Sequence, residues 1–126
     1  MNVTVKGSKT EGKGVFAGQD FKRGEVVLDW SDSPILTPKQ AEKIPEEDKK
    51  YIYYDGNKQV LVKPPARFVN HSCYPNTFIH NFSGIAKKDI KKDEEITEDY
   101  SKENNPSLRI KCNCGSKNCK GIIKID

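Results

Sequence analysis

Long hydrophobic runs are missing from this sequence: hydrophobic residues make up 34% of its 126 residues, and charged residues make up 32%. No stretch approaches the ~20 apolar residues of a membrane-spanning helix. Residues 1–6 have neither the apolar stretch nor the cleavage site of a signal peptide. We therefore expect an intracellular protein that has no membrane partner.

Cysteine and tryptophan are scarce, with four cysteines and one tryptophan. Structural disulfides are rare inside cells, so the cysteines point to metal binding or chemistry rather than to a disulfide framework. No internal repeat or low-complexity linker is evident. A chain of this length has room for one small domain, which buries only about 65% of its unfolded surface. A bound metal would help to stabilise such a domain.

Charge of one sign is not abundant either, since 22 basic and 18 acidic side chains give a formal net charge of +4. The basic residues are concentrated after Leu108, where the simplest interpretation is a solvated tail. An acidic partner is compatible with this charge but is not required by it. Because a dense face of basic and aromatic residues is lacking, we do not expect direct binding of nucleic acid.

What the sequence does have is a series of short β-like runs separated by turn residues. The runs are rich in β-branched and aromatic residues, which favours strands. Residues 55–57, Asp-Gly-Asn, lie between two such runs and are typical of a hairpin turn. A mostly β domain with one or two short helices is predicted.

One short helix is predicted after Thr37, which suits the N-cap position. Pro38 suits the first helical position, and Gln40 can complete a capping box. We expect Ala41 and Ile44 to face the core, and the proline that follows to end the helix.

The pattern C-x-C-x4-C is formed by three of the four cysteines, Cys112, Cys114 and Cys119. The first two are too close for a comfortable disulfide but can bind one metal ion, and Gly115 allows the turn that returns the third. A closed zinc site needs four ligands, and Cys73 is the only other cysteine. We predict a zinc site made by all four. The alternatives are free thiols, or a ligand from His71 or His80.

A polar segment stands in the middle of the chain, where residues 67–76 read R-F-V-N-H-S-C-Y-P-N. By itself this segment is either a ligand site or a turn whose polar groups are satisfied. The charged residues 86–100 and then the cysteine-rich end follow it. The order of these segments is distinctive.

This order resembles that of the SET-domain protein lysine methyltransferases. Residues 12–17 are similar to the family's opening G-x-G-V-F-A, and residues 67–76 to its R-F-x-N-H-S-C-x-P-N. Residues 89–100 are similar to D-I-x-x-G-E-E-I-T-x-D-Y, and residues 112–121 to the post-SET segment C-x-C-G-S-x-N-C-x-G. The resemblance covers essentially the whole chain.

The resemblance implies the mostly β SET fold, a β-clip of short sheets with a knot-like crossing near Asn70 and His71. It implies a SET domain in residues 1–105 and a post-SET segment in residues 106–126, whose cysteines bind zinc together with Cys73. The implied cofactor is S-adenosylmethionine. The residues that the resemblance assigns to its binding are Lys13, Gly14, Val15, Phe16, Arg67, Asn70, His71, Tyr100, Cys112, Asn113 and Ile122.

The implied reaction transfers a methyl group from S-adenosylmethionine to a lysine ε-amine in an extended segment of a protein substrate, a histone or another basic protein. A narrow tyrosine-lined channel would desolvate and orient the amine. The resemblance makes Tyr100 the terminal catalytic tyrosine rather than a core residue. Tyr51 falls near the channel tyrosine, with plain packing as the alternative. Arg67 and Glu95 match a pair that bridges two motifs, unless they are unrelated surface charges.

Two positions depart from the family pattern. Asp93 replaces a usual glycine, and aspartate tolerates turn conformations. Glu98 stands where the family often has phenylalanine or tyrosine, at a position that tunes how many methyl groups are added. Because Glu98 and Tyr100 share one face of an extended segment, we expect Glu98 in the lysine channel and count it with the catalytic residues. The alternatives are an outward turn to solvent or a pair with a lysine.

Protein lysine N-methyltransferase is therefore the predicted function, in the nucleus at chromatin or in the cytoplasm, with nucleic acid met only through chromatin. One alternative is a non-catalytic zinc-binding module that contacts nucleic acid or an acidic protein. Another is a cofactor-binding relic without activity, which need not have kept Asn70, His71 and Tyr100.

Overall fold

The computed structural model describes residues 2–8, 12–100, 110–111 and 122–123, and most of its regular structure is short strands. The strands are β1 (Val3–Gly7), β2 (Lys13–Ala17), β3 (Val26–Asp29), β4 (Ile35–Leu36), β5 (Ile52–Asp55), β6 (Lys58–Leu61), β7 (Asn70–His71), β8 (Thr77–Ile79), β9 (Ser83–Ala86), β10 (Glu95–Glu98), β11 (Ile110–Lys111) and β12 (Ile122–Ile123). The helices are α1 (Pro38–Lys43) and two 3₁₀ helices, Glu46–Tyr51 and Ala66–Phe68. The prediction of a mostly β domain is confirmed. In these ranges, no helix has the length and apolar character needed to cross a membrane.

The strands are distributed over small sheets rather than over one large one. A four-stranded sheet has the order β1-β2-β10-β7, and two three-stranded sheets have the orders β3-β9-β8 and β4-β6-β5. β11 and β12 form an antiparallel pair. Most of the buried apolar side chains form one cluster, which includes Val15, Ile90 and Ile96. The core is therefore shared among several short sheets.

β10 is the strand that joins distant parts of the chain. It lies between β2, to which it is antiparallel, and β7, to which it is parallel. Asn76, beyond β7, holds it from a further side, because its amide donates to the Glu95 carbonyl at 2.8 Å and accepts from the Thr97 N–H at 2.9 Å. β10 therefore lies between β2 and β7, beside Asn70 and His71. The resemblance predicts the knot-like crossing of the chain near these two residues.

The two tight hairpins use the left-handed backbone conformation in different ways. In β5–β6, Asp55 pairs with Lys58, and Gly56 has a φ of 57°, which confirms the predicted turn. In β8–β9, Asn81 and Phe82 have φ values of 49° and 56°. A bulky residue there is unusual. The Phe82 ring packs edge-to-face on Trp30, with ring centroids 5.6 Å apart, and this contact offsets the backbone strain.

α1 begins as predicted. The Thr37 side chain accepts from the Gln40 N–H at 3.2 Å, and the Gln40 side chain accepts from the Thr37 N–H at 2.8 Å. The expectation that Ala41 and Ile44 face the core is wrong, because α1 contains no buried residue and both are only half-buried. Pro38 and the proline after Ile44 limit the helix to a length too short for a complete apolar face.

A short repeat that the sequence analysis did not recognise brings two turns together. Residues 20–25 read D-F-K-R-G-E and residues 89–94 read D-I-K-K-D-E. Phe21 and Ile90 form an antiparallel bridge in which each N–H donates to the other's carbonyl, at 2.7 and 2.8 Å. We call these two segments the paired turns. The expectation that the chain has no internal repeat is thus incorrect at this scale.

Candidate active site

The two central motifs meet where β7 runs beside β10. Asn70 pairs with Thr97 and His71 pairs with Glu98, and the Ser72 N–H donates to the Glu98 carbonyl at 2.9 Å. The polar segment around residue 70 therefore lies directly against the segment that ends at Tyr100. Because both strands are very short, their side chains are placed by this pairing rather than by long ladders.

Tyr100 is anchored to β7 at both ends. Its hydroxyl donates to the Val69 carbonyl, and its backbone N–H donates to Nδ1 of His71 at 3.0 Å. The His71 ring lies beside it, with ring centroids 5.4 Å apart. Asp99 Oδ1 lies 3.7 Å from the same nitrogen, Nδ1. On the opposite side of the His71 ring, Nε2 lies 3.2 Å from the Cys73 sulfur.

A second polar group surrounds Asn70, next to the Gly-Lys-Gly entry to β2. The Asn70 amide donates to the Lys13 carbonyl and to Oε2 of Glu95, both at 2.9 Å. The Ser8 hydroxyl donates to the same carboxylate at 2.8 Å. A Cβ atom at Gly14 would lie 2.5 Å from Glu95 Oε2 and 3.2 Å from Asn70 Nδ2. Only glycine leaves room for this carboxylate.

The expected pair between Arg67 and Glu95 is not formed. Glu95 is held by Ser8 and Asn70, whereas Nε of Arg67 donates to the Val62 carbonyl at 2.9 Å. The carboxylate is turned toward β1 and Gly14, away from the guanidinium. The structure therefore agrees better with the alternative that Arg67 and Glu95 are two unrelated charges. Neither is a fully exposed surface charge, because both residues are half-buried.

Two pockets share a wall beside these motifs. The first is lined by Lys50, Tyr51, Val62, Ala66, Arg67, Val69, Glu98 and Tyr100. The second is lined by Leu28, Trp30, Tyr53, Val62, Ala66, Val69, Thr77, Ile79, Gly84 and Glu98. We call them the cationic pocket and the aromatic pocket. Glu98 and three apolar side chains line both pockets, and Glu98 is half-buried.

Basic side chains lie over aromatic rings in and beside the cationic pocket. Nζ of Lys50 and Cζ of Arg67 each lie 5.3 Å from the centre of the Tyr51 ring. Lys13 lies 5.2 Å from the Phe68 ring, which packs edge-to-face on Tyr51 at 6.5 Å. Among the described side chains, Glu98 is the single anion in the pocket lining. This pocket can accept an anionic group that also offers an apolar surface.

Two aromatic and five aliphatic side chains line the aromatic pocket. Trp30 and Tyr53 pack edge-to-face with centroids 5.2 Å apart, and Phe82 contacts both rings from outside the lining. Among the described residues that line it, Glu98 is the one carboxylate. An alkyl chain that entered this pocket would contact apolar side chains and meet one negative charge.

Some lining residues were missed from sequence. Tyr53 carried a usable signal, because two tyrosines two positions apart would share one face of a strand. In the structure Tyr51 instead ends a 3₁₀ helix, and the two tyrosines line different pockets. Trp30, at the end of an apolar run, gave no sign of lining a pocket. Lys50 lies in a charged stretch that looks like ordinary solvated surface.

Of the remaining predicted site residues, Val15 is fully buried in the core. Phe16 is half-buried, and Lys6 lies 4.4 Å from its ring centre. Cys112, Asn113, Cys114 and Cys119 lie outside the described residues. For Ile122 the structure describes only the backbone, which pairs with Lys111.

Hydrogen bonds shift the pKa values of two side chains, Asp32 and Lys49. The hydrogen bond from Lys63 lowers the pKa of the exposed Asp32 carboxyl. The hydrogen bond to Glu46 raises the pKa of Lys49. Lys49 is thus ion-paired, while its neighbour Lys50 faces the Tyr51 ring. Both ion pairs are exposed and are worth little in stability.

Comparison with known proteins adds the family. Residues 12–101 match the model of the SET domain. The chain belongs to the SET domain family. The match extends from the Gly-Lys-Gly entry to β2 to the residue after Tyr100, so it includes both pockets and both motifs that line them.

Several curated relatives of this SET domain chain are histone-lysine N-methyltransferases by name. It is 31% identical over 136 residues to human histone-lysine N-methyltransferase 2D, covering 94% of this chain and 2% of that protein. It is 32% identical to the Plasmodium falciparum variant-silencing SET domain-containing protein, covering 94% of this chain and 5% of the other. A Saccharomyces cerevisiae histone-lysine N-methyltransferase, H3 lysine-36 specific, is 28% identical and is covered to 19%. The chain thus spans under a fifth of the length of each.

Solved structures agree on the fold. One structure, from work on the product specificity of histone lysine methyltransferases, matches with a TM-score of 0.68 at 26% identity, covering 94% of this chain and 54% of the other. A Plasmodium falciparum protein, described as a candidate histone methyltransferase, matches with a TM-score of 0.62 at 24% identity, covering 76% and 90%. The SET fold predicted from the motifs is confirmed.

Proposed function

We propose that this chain is a protein lysine N-methyltransferase that uses S-adenosylmethionine and acts on a lysine in an extended segment of a protein. The observation that carries the proposal is the pair of adjoining pockets, one cationic and one aromatic, with Glu98 in their common wall and Tyr100 beside it. Group transfer needs two reactants whose reacting atoms approach each other to about 3 Å, and adjoining pockets can hold two reactants that meet at their common border.

The cationic pocket suits the amino-acid end of the cofactor. Arg67 and Lys50 can pair with its carboxylate, and the Tyr51 ring offers an apolar surface between them. When bound, S-adenosylmethionine supplies an electrophilic methyl group on a sulfonium sulfur. Beside this pocket, Lys13 is exposed and its carbonyl accepts from the Asn70 amide, while Gly14 is buried against the Glu95 carboxylate. Asn70 and His71 stand on the neighbouring strand, as the resemblance implies for cofactor binding.

The aromatic pocket suits the lysine side chain. Its alkyl part would lie against Trp30, Tyr53 and the apolar wall, and its amine would reach Glu98. Enclosure by apolar rings lowers the pKa of an amine, because it disfavours the charged form, while a nearby carboxylate raises it. Glu98 would thus attract the substrate cation and oppose its deprotonation.

Tyr100 is assigned the orienting role. Because its hydroxyl proton goes to the Val69 carbonyl, the oxygen lone pairs can accept an N–H from the substrate amine. This contact aims the nitrogen lone pair without requiring a strong base. Tyr51 joins the catalytic set as the ring between the two cations, and Glu98 as the charge in the wall.

The four-cysteine zinc site belongs to the same proposal. Cys73 is half-buried, and a ring nitrogen of His71 lies beside its sulfur, which suits a thiolate ligand. Pairing of Lys111 with Ile122 brings together the two ends of the segment that carries Cys112, Cys114 and Cys119. Within the described ranges no group of three metal-binding side chains occurs, so the fit rests on Cys73 and on this closure.

A histone is the first substrate class to test, because the relatives named above are histone-lysine methyltransferases. A histone substrate would be met in the nucleus at chromatin or in the cytoplasm, and we propose that contact with nucleic acid occurs only through chromatin. The SET domain would end near residue 105 and the zinc-binding post-SET segment would follow. The competing function, a non-catalytic zinc module, predicts a folded protein without methyl transfer.

The proposal is tested by incubating the protein with methyl-labelled S-adenosylmethionine and a panel of histones and other basic proteins. Tyr100→Phe removes only the orienting hydroxyl, so we expect the variant to fold and to retain its affinity for the cofactor. The activation free energy should rise by ~2–4 kcal/mol, as for the loss of other preorganised donors, and the rate should fall accordingly. Tyr54→Phe is the matched control, since Tyr54 lines neither pocket. Equal turnover in the Tyr100→Phe protein would move the role to Tyr51 or Tyr53.

A further inference from the structure

His71 occupies a position that its place in a cofactor motif does not explain. Its side chain is 5% exposed, and its two ring nitrogens face different partners. Nδ1 accepts from the Tyr100 backbone N–H at 3.0 Å, and Nε2 lies 3.2 Å from the Cys73 sulfur. One imidazole thus touches both the residue assigned to orient the substrate and a residue assigned to bind zinc.

The contact with Tyr100 decides which nitrogen carries the hydrogen. A backbone N–H can donate only to a nitrogen with a lone pair, so Nδ1 is unprotonated. In a neutral imidazole the hydrogen then sits on Nε2, which points it at the Cys73 sulfur. The Asp99 carboxylate lies 3.7 Å from Nδ1, which is beyond hydrogen-bond distance. It therefore does not favour the tautomer that carries the hydrogen on Nδ1.

We propose that His71 is a positioning residue that couples the Cys73 sulfur to the backbone of Tyr100 through this directed pair of hydrogen bonds. The proposal deepens the function above and rests on it for the roles of Tyr100 and of the zinc. An N–H donated to a ligand thiolate orients that ligand and strengthens metal binding. The same ring, held from that side, fixes where the Tyr100 backbone lies relative to β7.

Simple space filling is the competing explanation for a buried ring. An apolar ring of the same size would also pack against Tyr100, but it would leave the Tyr100 N–H without this acceptor and the sulfur without this donor. The two explanations therefore differ in one respect. In the proposal each ring nitrogen has its own hydrogen-bonding role, whereas in space filling neither nitrogen has one. Asparagine and glutamine separate them, because the asparagine oxygen can occupy the place of Nδ1 and the glutamine amide nitrogen can reach the place of Nε2.

The first measurement uses the unmodified full chain. In a ¹⁵N-histidine-labelled sample, long-range ¹H–¹⁵N spectra report which ring nitrogen carries the hydrogen, and the exposed His80 serves as an internal reference. We expect the Nε2–H form for His71. Removal of zinc by a chelator should shift the His71 nitrogens and leave those of His80 in place. The Nδ1–H form, or equal shifts at both histidines, would overturn the proposal.

The second measurement compares His71→Asn with His71→Gln, and uses His80→Asn as the control. Exchange of the Tyr100 amide hydrogen, read by NMR, should stay slow in His71→Asn and become at least ~10-fold faster in His71→Gln. Zinc release to a chelator should show the reverse order, with metal affinity ~10–100-fold weaker in His71→Asn, in the range for lost outer partners of metal ligands. Parallel loss or parallel retention of both properties would show a space-filling role.

These readouts also separate this inference from the proposed function. Neither the tautomer nor the Tyr100 amide exchange requires methyl transfer. Suppose that the protein has the Nε2–H form, and that His71→Asn and His71→Gln affect zinc release and Tyr100 amide exchange in opposite ways, but that it transfers no methyl group. The His71 coupling would then stand and the proposed methyltransferase activity would be wrong. An active protein with the wrong tautomer would lead to the opposite conclusion.

Discussion

At the scale of single residues, Glu98 is the most informative side chain. It lines both pockets and stands at a position where the SET family often has an aromatic ring. A carboxylate leaves more room beside the substrate amine than a ring does. It also attracts a methylated ammonium between cofactor exchanges.

We therefore predict more than one methyl group per lysine and an alkaline activity optimum, because Glu98 raises the pKa of the substrate amine. Glu98→Phe and Glu98→Tyr should shift the products toward fewer methyl groups and move the optimum toward lower pH. Mass spectrometry of the product and a pH–rate profile measure both effects. Glu42→Tyr, on the exposed side of α1, is the matched control. Identical products and profiles in wild type and Glu98→Tyr would remove Glu98 from the channel.

At the scale of elements, the paired turns join the two ends of the SET domain. Each turn caps the other, because Asp20 accepts from the Lys92 N–H at 2.8 Å and Asp89 accepts from the Arg23 N–H at 2.9 Å. Asp93, in the second turn, has a φ of 74°, which explains why the family usually has glycine there. The turns hold the start of β3 and the start of β10 in one place.

Asp20→Ala and Asp89→Ala should each lower the free energy of unfolding by about 1 kcal/mol, because each leaves one backbone N–H without its charged acceptor. The two carboxylates flank the same Phe21–Ile90 bridge, so the double variant should lose less than the two single losses together. Urea denaturation of the four proteins measures this. Glu47→Ala changes an exposed carboxylate elsewhere and should leave the midpoint unchanged. Full additivity would show that the two turns act independently.

At the scale of the whole molecule, a small core is divided among short sheets, and long-range contacts hold it together. β10 connects β2 with β7, while the C-terminal residues contribute the strand pair of β11 and β12. A metal that joined Cys73 to the C-terminal segment would add a covalent-strength link between the middle and the end of the chain. In that case metal binding would also be folding free energy.

Pure protein should contain about one zinc per chain, released by thiol modification. Cys73→Ser should loosen the C-terminal segment and weaken cofactor binding more than it lowers the stability of the strands. Metal analysis, limited proteolysis and calorimetric titration with the cofactor measure the three effects. Ser72→Ala, at the adjacent position, controls for local disturbance. Protein without zinc, or strands that unfold together with the tail, would contradict the assignment.

The sequence alone determined the features that depend on local order. The four motifs in series identified the family, and the Thr37 capping box and the Gly56 turn set the boundaries of their elements. The alternation of Glu98 with Tyr100 predicted that both lie on one side of the chain, and both line the cationic pocket. These succeed because caps, turns and strand faces are decided by residues a few positions apart.

Only the tertiary structure decided which distant groups meet. It separated Arg67 from Glu95, brought Trp30 and Tyr53 around Glu98, and set the His71 ring between Tyr100 and Cys73. It also left α1 on the surface and joined the paired turns. The physical reason is the same in each case: the packing of short strands from remote parts of the chain sets these contacts, and packing depends on shape and burial, which no local pattern encodes.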